Sequence, residues 1–396
     1  MNLLISSSSP ADKGSGITGY VNQIAAGFAR RGHRVHYLAP ASENRAWLDQ
    51  QSILSVPHCN RGDPSGSCAA IYRYIQRHNI GGIINNDNSF LQSLAPAVHC
   101  PFVSVGHMNR TNVATLAAYN HQWLDYIVTI SQDMQRHYCN HFGVPINKLP
   151  IIYNGVSDPG QPVLRSRENC ARLQVVFAGG MDRNKGAALL ERSLLTQPEL
   201  HRRIQIHWFG QVAQSKQEQL AKLGCVLFRG RVQRVEFLDA LRSADVLLLP
   251  SYAEGCPMVM LEAMSFGVVP ISSNGIGAMQ RLVIGGQEGF ICDLRRWENE
   301  MTACLVQLHQ NAELLKRMRD AAYARFLSDF NVEKTLDALE FLLRNPTVDR
   351  SRAQQQIDVL RWHRPVIPGT DRAPLYDRLC IKAGILRRAS KLSLSV

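Results

Sequence analysis

Several absences narrow the reading first. The 396 residues contain no run of eighteen apolar residues, so no membrane-spanning helix is expected. The start, MNLLISSSSPADKGSG, has no basic stretch ahead of an apolar one. It reads as a first strand and loop rather than a signal peptide. The ten cysteines (Cys59, Cys68, Cys100, Cys139, Cys170, Cys225, Cys256, Cys292, Cys304 and Cys380) include no C-x-x-C pair. Together these absences predict reduced thiols in a cytoplasmic protein, without a disulfide framework or a zinc site. There is no D-x-D and no GxxxxGK[ST], so neither signature of a metal-bound nucleotide is present.

The composition is that of an ordinary globular protein, 45% hydrophobic, and its length suits two domains. The formal charge is +12, which favours anionic partners such as nucleotide phosphates or acidic lipid. Residues 346–396 hold ten Lys or Arg against four Asp, so +6 of that charge is in the tail. The rest is only mildly basic, which argues against a nucleic-acid binder.

Short β-rich runs alternate with helical patterns, the mark of a parallel α/β architecture. NLLIS is a strand, and DKGSGITG is a glycine-rich loop. Val21, Ile24, Ala25 and Phe28 then mark one face of a helix that Gly32 can end. RVHYLAP, GGIINND, PFVSVGH and YIVTIS read as further strands. Ligands of such sheets bind beyond the carboxyl ends of the strands, which makes Asn86, Asp87, His107 and Ser131 candidates. A second series begins near residue 172 with LQVVFAGG, IQIHWFG, CVLFRG, ADVLLLPS, VVPISS and GFICD. The organisation is two doubly wound units in tandem, joined by the polar segment 157–170.

The stretch LLLPSYAEGCPMVMLEAMSFGVVPIS carries two glutamates, Glu254 and Glu262, around a Gly-Cys-Pro turn. Pro257 can take the first helical position and Gly267 can close the helix. Glu254 then lies in the strand-to-helix loop and Glu262 in the second helical turn. The helix start favours an anion. Carboxylates beside a bound diphosphate are repelled by it, so they suit only hydroxyl donors, such as those of a sugar or ribose. Two solvated glutamates are the plainer alternative. In GGMDRNKG, Gly179 and Gly180 let backbone approach a phosphate, with Lys185 and Arg183 as cations, although a solvated loop fits that stretch as well. With no metal signature, such cations would neutralise the leaving group, which points to metal-independent transfer.

EGCPMVMLEAMSFGVVPI resembles the signature of the family 4 glycosyltransferases, retaining enzymes of the GT-B fold. GSGITGYVNQIAAGFARRGHRVHYLAP, PFVSVGH, IIYNGVS, FAGGMDRNKG, SADVLLLPSYAEG and FNVEKTLDALEFLL resemble other family segments in the right order, over about residues 1–345. The resemblance implies two Rossmann-like doubly wound domains facing a central cleft. Residues 1–160 would form the acceptor side and 161–330 the nucleotide-sugar side. Residues 331–345 would return as a helix to the first domain, and 346–396 would be a basic tail.

It also implies roles. Glu254 would contact hydroxyls of the transferred sugar, and Gly255, Cys256, Pro257 and Met258 would line the sugar and diphosphate with backbone. Glu262 would accept the ribose hydroxyls and Lys185 would bind the diphosphate. Gly16 would let an amide approach the β-phosphate, and His107 would lie near the sugar. Arg231 and Val232 would meet the base. No metal or other cofactor is implied, and the nucleotide sugar is a substrate. The acceptor would be a saccharide, a lipid-linked glycan or a small molecule, as in cell-surface polysaccharide or lipopolysaccharide synthesis. The family's glycine–arginine pair has Gly180 in place of arginine here, with Arg183 as the nearest substitute. Ser15-Gly16, Ser157, Met279 and Gln280 also depart from the pattern.

Two other readings share the fold: a sugar-nucleotide-binding relative without activity, and a nucleotide-sugar epimerase. The tail RAPLYDRLCIKAGILRRASKLSLSV carries an imperfect apolar stripe among basic residues. It can lie on the anionic inner face of a membrane, or be solvated or packed on the body.

Overall fold

The computed structural model describes residues 1–11, 16–40, 46–56, 64–108, 111–162 and 172–350. The basic tail beyond 350 and most of the linker, 163–171, lie outside the described residues. The chain divides into two compact units, Met1–Ile152 with the chain from Thr335 onward, and Tyr153–Lys334.

The first unit is built on six parallel strands in the order β3-β2-β1-β4-β5-β6. They are β1 (Asn2–Ser6), β2 (Arg34–Leu38), β3 (Leu54–Val56), β4 (Gly82–Asn86), β5 (Phe102–Val105) and β6 (Tyr126–Val128). Every residue of β4 and β5 is buried, as expected of strands covered on both faces. The helix Gly16–Arg30 follows β1 and ends before Gly32, whose φ of +79° suits glycine. The order reverses between β1 and β4, so the strand ends there form the switch point of the sheet.

The helix Val332–Arg344 buries Val332, Leu336, Leu339, Leu342 and Leu343, one apolar face. Leu336 packs on Gly27, and Arg31 reaches Asp337 at 2.7 Å and Glu340 at 3.3 Å. Farther on, Asp125 accepts from the amides of Thr347 and Val348 and from Arg350, which ties 335–350 to the first sheet.

The second unit repeats the plan, with order β14-β12-β10-β7-β8-β9, again parallel. Its strands are β7 (Leu173–Ala178), β8 (Ile204–Phe209), β9 (Val226–Gly230), β10 (Val246–Leu249), β12 (Val269–Ser273) and β14 (Phe290–Cys292). A two-stranded parallel ribbon, β11 (Ala253–Glu254) with β13 (Ile276–Gly277), stands apart from the sheet. Trp208, Trp297 and Phe177 are among the largest side chains of the core, which is otherwise aliphatic. Seven described cysteines are free thiols.

Candidate functional site

Glu254 sits on the ribbon rather than in an irregular loop. It pairs with Gly277, whose φ is +116°. A side chain at Gly277 would overlap the Glu254 carbonyl oxygen, so the ribbon requires glycine there. Glu254 is 9% exposed, and its Oε1 accepts from the Ser251 hydroxyl at 2.8 Å and from Lys185 Nζ at 2.6 Å. The two solvated glutamates of the plainer alternative are therefore not what is found.

Lys185 is placed by the loop after β7. The Asp182 carboxylate accepts from the amides of Asn184 (2.7 Å) and Lys185 (3.2 Å), which fixes the turn. Asn184 also donates to the Ala253 carbonyl at 2.7 Å and ties the loop to the ribbon. Gly180 has a φ of +53° and lies against the Gly210–Gln211 backbone, and Gly179 lies against the Lys185 side chain. These internal contacts account for both glycines without a phosphate. Arg183 is exposed on the same loop.

Gly255 and Cys256 lead from the ribbon to the helix Met258–Ser265. Pro257 is its extended cap (φ −68°, ψ 107°), one position earlier than expected, and supplies no side-chain acceptor. The Met260 amide donates to the Pro257 carbonyl at 3.0 Å, so the amides of Met258 and Val259 are the first-turn donors left for an anion. The Cys256 backbone is held by Asn154, whose amide donates to its carbonyl at 3.1 Å. Burial pushes the Cys256 thiol up to about 12, so it is not a nucleophile near neutrality. Glu262, in the second turn, is 3% exposed, and its Oε1 accepts from Arg234 at 2.6 Å. Burial raises its pKa, opposed by Arg234. Arg231 and Val232 lie just before the helix Arg234–Arg242 that carries this arginine.

In the first unit Gly16 opens its helix, exposed, with open space where a side chain would go. Tyr20 of that helix meets the ring of His107 edge-on at 5.3 Å. His107 is 4% exposed, and its Nε2 lies 3.0 Å from Asn86 Oδ1. The Asn86 amide donates to the Ser6 carbonyl at 3.0 Å, so Oδ1 is the acceptor and the ring donates from Nε2. Burial holds His107 down at about 4. The neutral ring keeps Nδ1 as its acceptor and cannot serve as an acid at neutral pH.

Asp87 has a φ of +55°, and its Oδ1 is buried with no hydrogen-bond partner. Burial pushes its carboxyl up to about 7. The Tyr138 hydroxyl nearby is likewise buried and unpartnered. Ser131 caps the helix Gln132–Phe142 by accepting from the Met134 amide at 3.1 Å.

Sequence reasoning missed Arg234, Ser251, Asp182 and Asn184. Ser251 and Asn184 flank recognised motifs and could have been weighed with them. Nothing local marked Arg234, which lies 28 residues from Glu262.

Two family models match the chain: Glycosyltransferase Family 4 over residues 14–158, and Glycosyl transferases group 1 over residues 172–311. A glycogen synthase of Mycobacterium tuberculosis is 29% identical over 216 residues, covering 52% of this chain and 51% of that protein. A D-inositol 3-phosphate glycosyltransferase of Streptomyces scabiei is 29% identical over 212 residues, 48% of this chain and 42% of that one. The chain thus spans about half the length, or less, of these curated relatives. Among solved structures, a glycosyltransferase from Rickettsia africae superposes with a TM-score of 0.71 at 16% identity, covering 87% of this chain and 99% of that one. Anabaena HepE, solved with UDP, gives 0.68 at 18% identity, over 87% and 100%. Both sheets and both halves of the sequence lead to the same conclusion: the chain belongs to the family 4 glycosyltransferases and has the GT-B fold.

Proposed function

We propose that this protein is a retaining, metal-independent glycosyltransferase. It moves a sugar from a nucleoside-diphosphate donor to a saccharide, lipid-linked or small-molecule acceptor, in the making of a cell-surface polysaccharide or lipopolysaccharide. The observation that carries the reading is the contact of Lys185 with Glu254 at the mouth of the helix Met258–Ser265. A partly exposed ammonium, a buried carboxylate and the two open helix amides, brought together here, match a donor with both a diphosphate and hydroxyls.

In this reading the diphosphate rests on the first-turn amides and draws Lys185 from Glu254. The ammonium stabilises the charge that grows on the departing phosphate. Glu254 is released to accept sugar hydroxyls, and Glu262 accepts those of the ribose. The leaving phosphate oxygen takes the acceptor proton as the new glycosidic bond forms on the same face, so configuration is kept. Neutral His107 serves as a hydroxyl acceptor through Nδ1. Arg183 is the second cation of the loop, and the absence of a D-x-D motif supports a role for cations rather than a metal.

HepE, a structural relative, has been solved with UDP and with UDP-glucose, which makes UDP-glucose the first donor to try. Among the described residues no helix is long and apolar enough to cross a membrane. A cytoplasmic place, with the basic segment beyond residue 350 against the anionic inner face, belongs to the same proposal, since Thr347, Val348 and Arg350 are held by Asp125. A thermal-shift series over nucleoside-diphosphate sugars tests it. Stabilisation by at least one, and by its free nucleoside diphosphate, is expected, and no response to any of them would contradict the reading.

A further inference from the structure

Glu262 does not stand alone. Its side chain is 4% exposed, and Arg234, itself 49% exposed, lies on its Oε1 at 2.6 Å. A carboxylate this deeply buried tends to lose its charge unless a cation is held on it. The helices packed around it offer no obvious replacement. Arg242 lies over the Phe266 ring at 5.4 Å, and Arg319 is paired with Asp245 at 3.1 Å. Arg234 reaches Glu262 through one nitrogen and one oxygen. A carboxylate offers about four lone-pair directions on its two oxygens. Oε2 and the rest of Oε1 therefore remain for two further donors, the number that a vicinal diol supplies.

We propose that Arg234 is the positioning residue of the nucleoside subsite, holding Glu262 ionised and Oε1 fixed so that the carboxylate accepts both hydroxyls of a ribose. The inference rests on the nucleotide-sugar reading and deepens it, because it makes the 2′,3′-diol a recognised feature of the donor. Without Arg234 nothing on the carboxyl opposes the upward push of burial, and the protonated form is favoured more. A protonated carboxyl has one good acceptor oxygen and a hydroxyl of its own, so the diol loses much of its partner to the extent that this form is populated. A different geometry, with Arg234 leaving Glu262 to neutralise phosphate, would make Arg234 matter equally for ribose and dideoxyribose ligands.

Calorimetry separates the two. The ligands are UDP, GDP, ADP and CDP, with the 2′,3′-dideoxy form of whichever binds. The wild type should bind the dideoxy form about 10- to 100-fold more weakly, the range for hydrogen bonds to a charged group. Arg234→Met should bind the ribose form weakly and the dideoxy form within about twofold of it, while Arg234→Lys, which restores the cation, should keep most of the discrimination. Thermal melts run alongside. If Arg234→Met does not fold, Arg234→Gln replaces it, and equal discrimination in Arg234→Gln and Arg234→Lys overturns the proposal. Full discrimination in a folded Arg234→Met also overturns it, as does an equal loss for both ligands. A wild type that binds none of the four diphosphates removes the nucleotide reading itself, and this inference with it.

Discussion

Lys185 Nζ lies 2.6 Å from Oε1 of Glu254, and the Ser251 hydroxyl shares the same oxygen at 2.8 Å. One carboxylate oxygen thus holds both a cation and a hydroxyl, and a donor with a diphosphate and hydroxyls would draw the cation off with the first and replace it on the carboxylate with the second. The pair is poised for exchange because Lys185 is 34% exposed and Glu254 only 9%. The ammonium can swing while the carboxylate stays fixed on its ribbon.

Removing the ammonium should therefore cut turnover more than binding. Lys185→Ala is expected to lower kcat strongly, and Lys185→Arg to recover only part of it, since a planar guanidinium cannot reproduce a point charge. Steady-state kinetics with the donor found by thermal shift is the check. In the same assay EDTA should change the rate little, and loss of activity restored by magnesium would overturn the metal-independent mechanism.

Glu262→Ala is expected to weaken nucleoside-diphosphate binding about ten- to a hundredfold, the effect of losing roughly 1.5–3 kcal/mol of hydrogen bonding to a charge. The fold should survive, because the partner left behind, Arg234, is half exposed and can be solvated. Calorimetry beside a thermal melt measures both, and unchanged affinity would remove Glu262 from the ribose.

Gly277→Ala tests the ribbon that presents Glu254. The added methyl would overlap the Glu254 carbonyl, at a φ of +116° that alanine rarely adopts. A loss of at least about 1–3 kcal/mol in urea unfolding is expected, with activity falling alongside. Gly16→Ala is the contrast, since no atom lies within 4 Å of the added carbon, and its stability should be unchanged or higher.

How much of this was legible in the sequence depended on length and separation. β10 is four apolar residues, and β1 and β12 each centre on three (Leu3–Ile5 and Val269–Ile271), so they stood out. β11 and β13 have two residues each, too few to show a period, so the ribbon under Glu254 went unseen. Glu254 and Glu262 were visible as a pattern, but their cations lie 69 and 28 residues away, a separation that no local spacing reveals. Ser131 was read as a cleft residue because it follows a strand, although a serine ahead of a helical pattern is equally a cap signal.

Opposite pH dependences are expected from Asp87 and His107 in the first unit. Asp87 is pushed from 3.8 to about 7, so the folded state holds its proton more tightly than the unfolded chain, and stability falls as pH rises from about 4 to 7. His107 is lowered from 6.5 to about 4, so its contribution is lost as pH falls through that window. Asp87→Asn should therefore gain stability over the wild type steadily between about pH 4 and 7. His107→Gln should lose less stability than the wild type on acidification from 6.5. Urea midpoints across pH 4.5–8 measure both, and parallel curves would contradict the burial of these groups.

The most direct test of the retaining mechanism, and of Glu254 within it, is the anomeric configuration of the first product. An α-linked nucleotide sugar is incubated with the protein, with water or a supplied saccharide as acceptor, and the anomeric proton coupling is read by NMR before mutarotation. Glu254→Gln, which keeps the size but removes the charge that stabilises a cationic sugar, runs beside it. An α product is predicted, with turnover in the variant reduced far more than the donor Michaelis constant is raised. A β product, or a variant as fast as the wild type, would contradict the role assigned to Glu254.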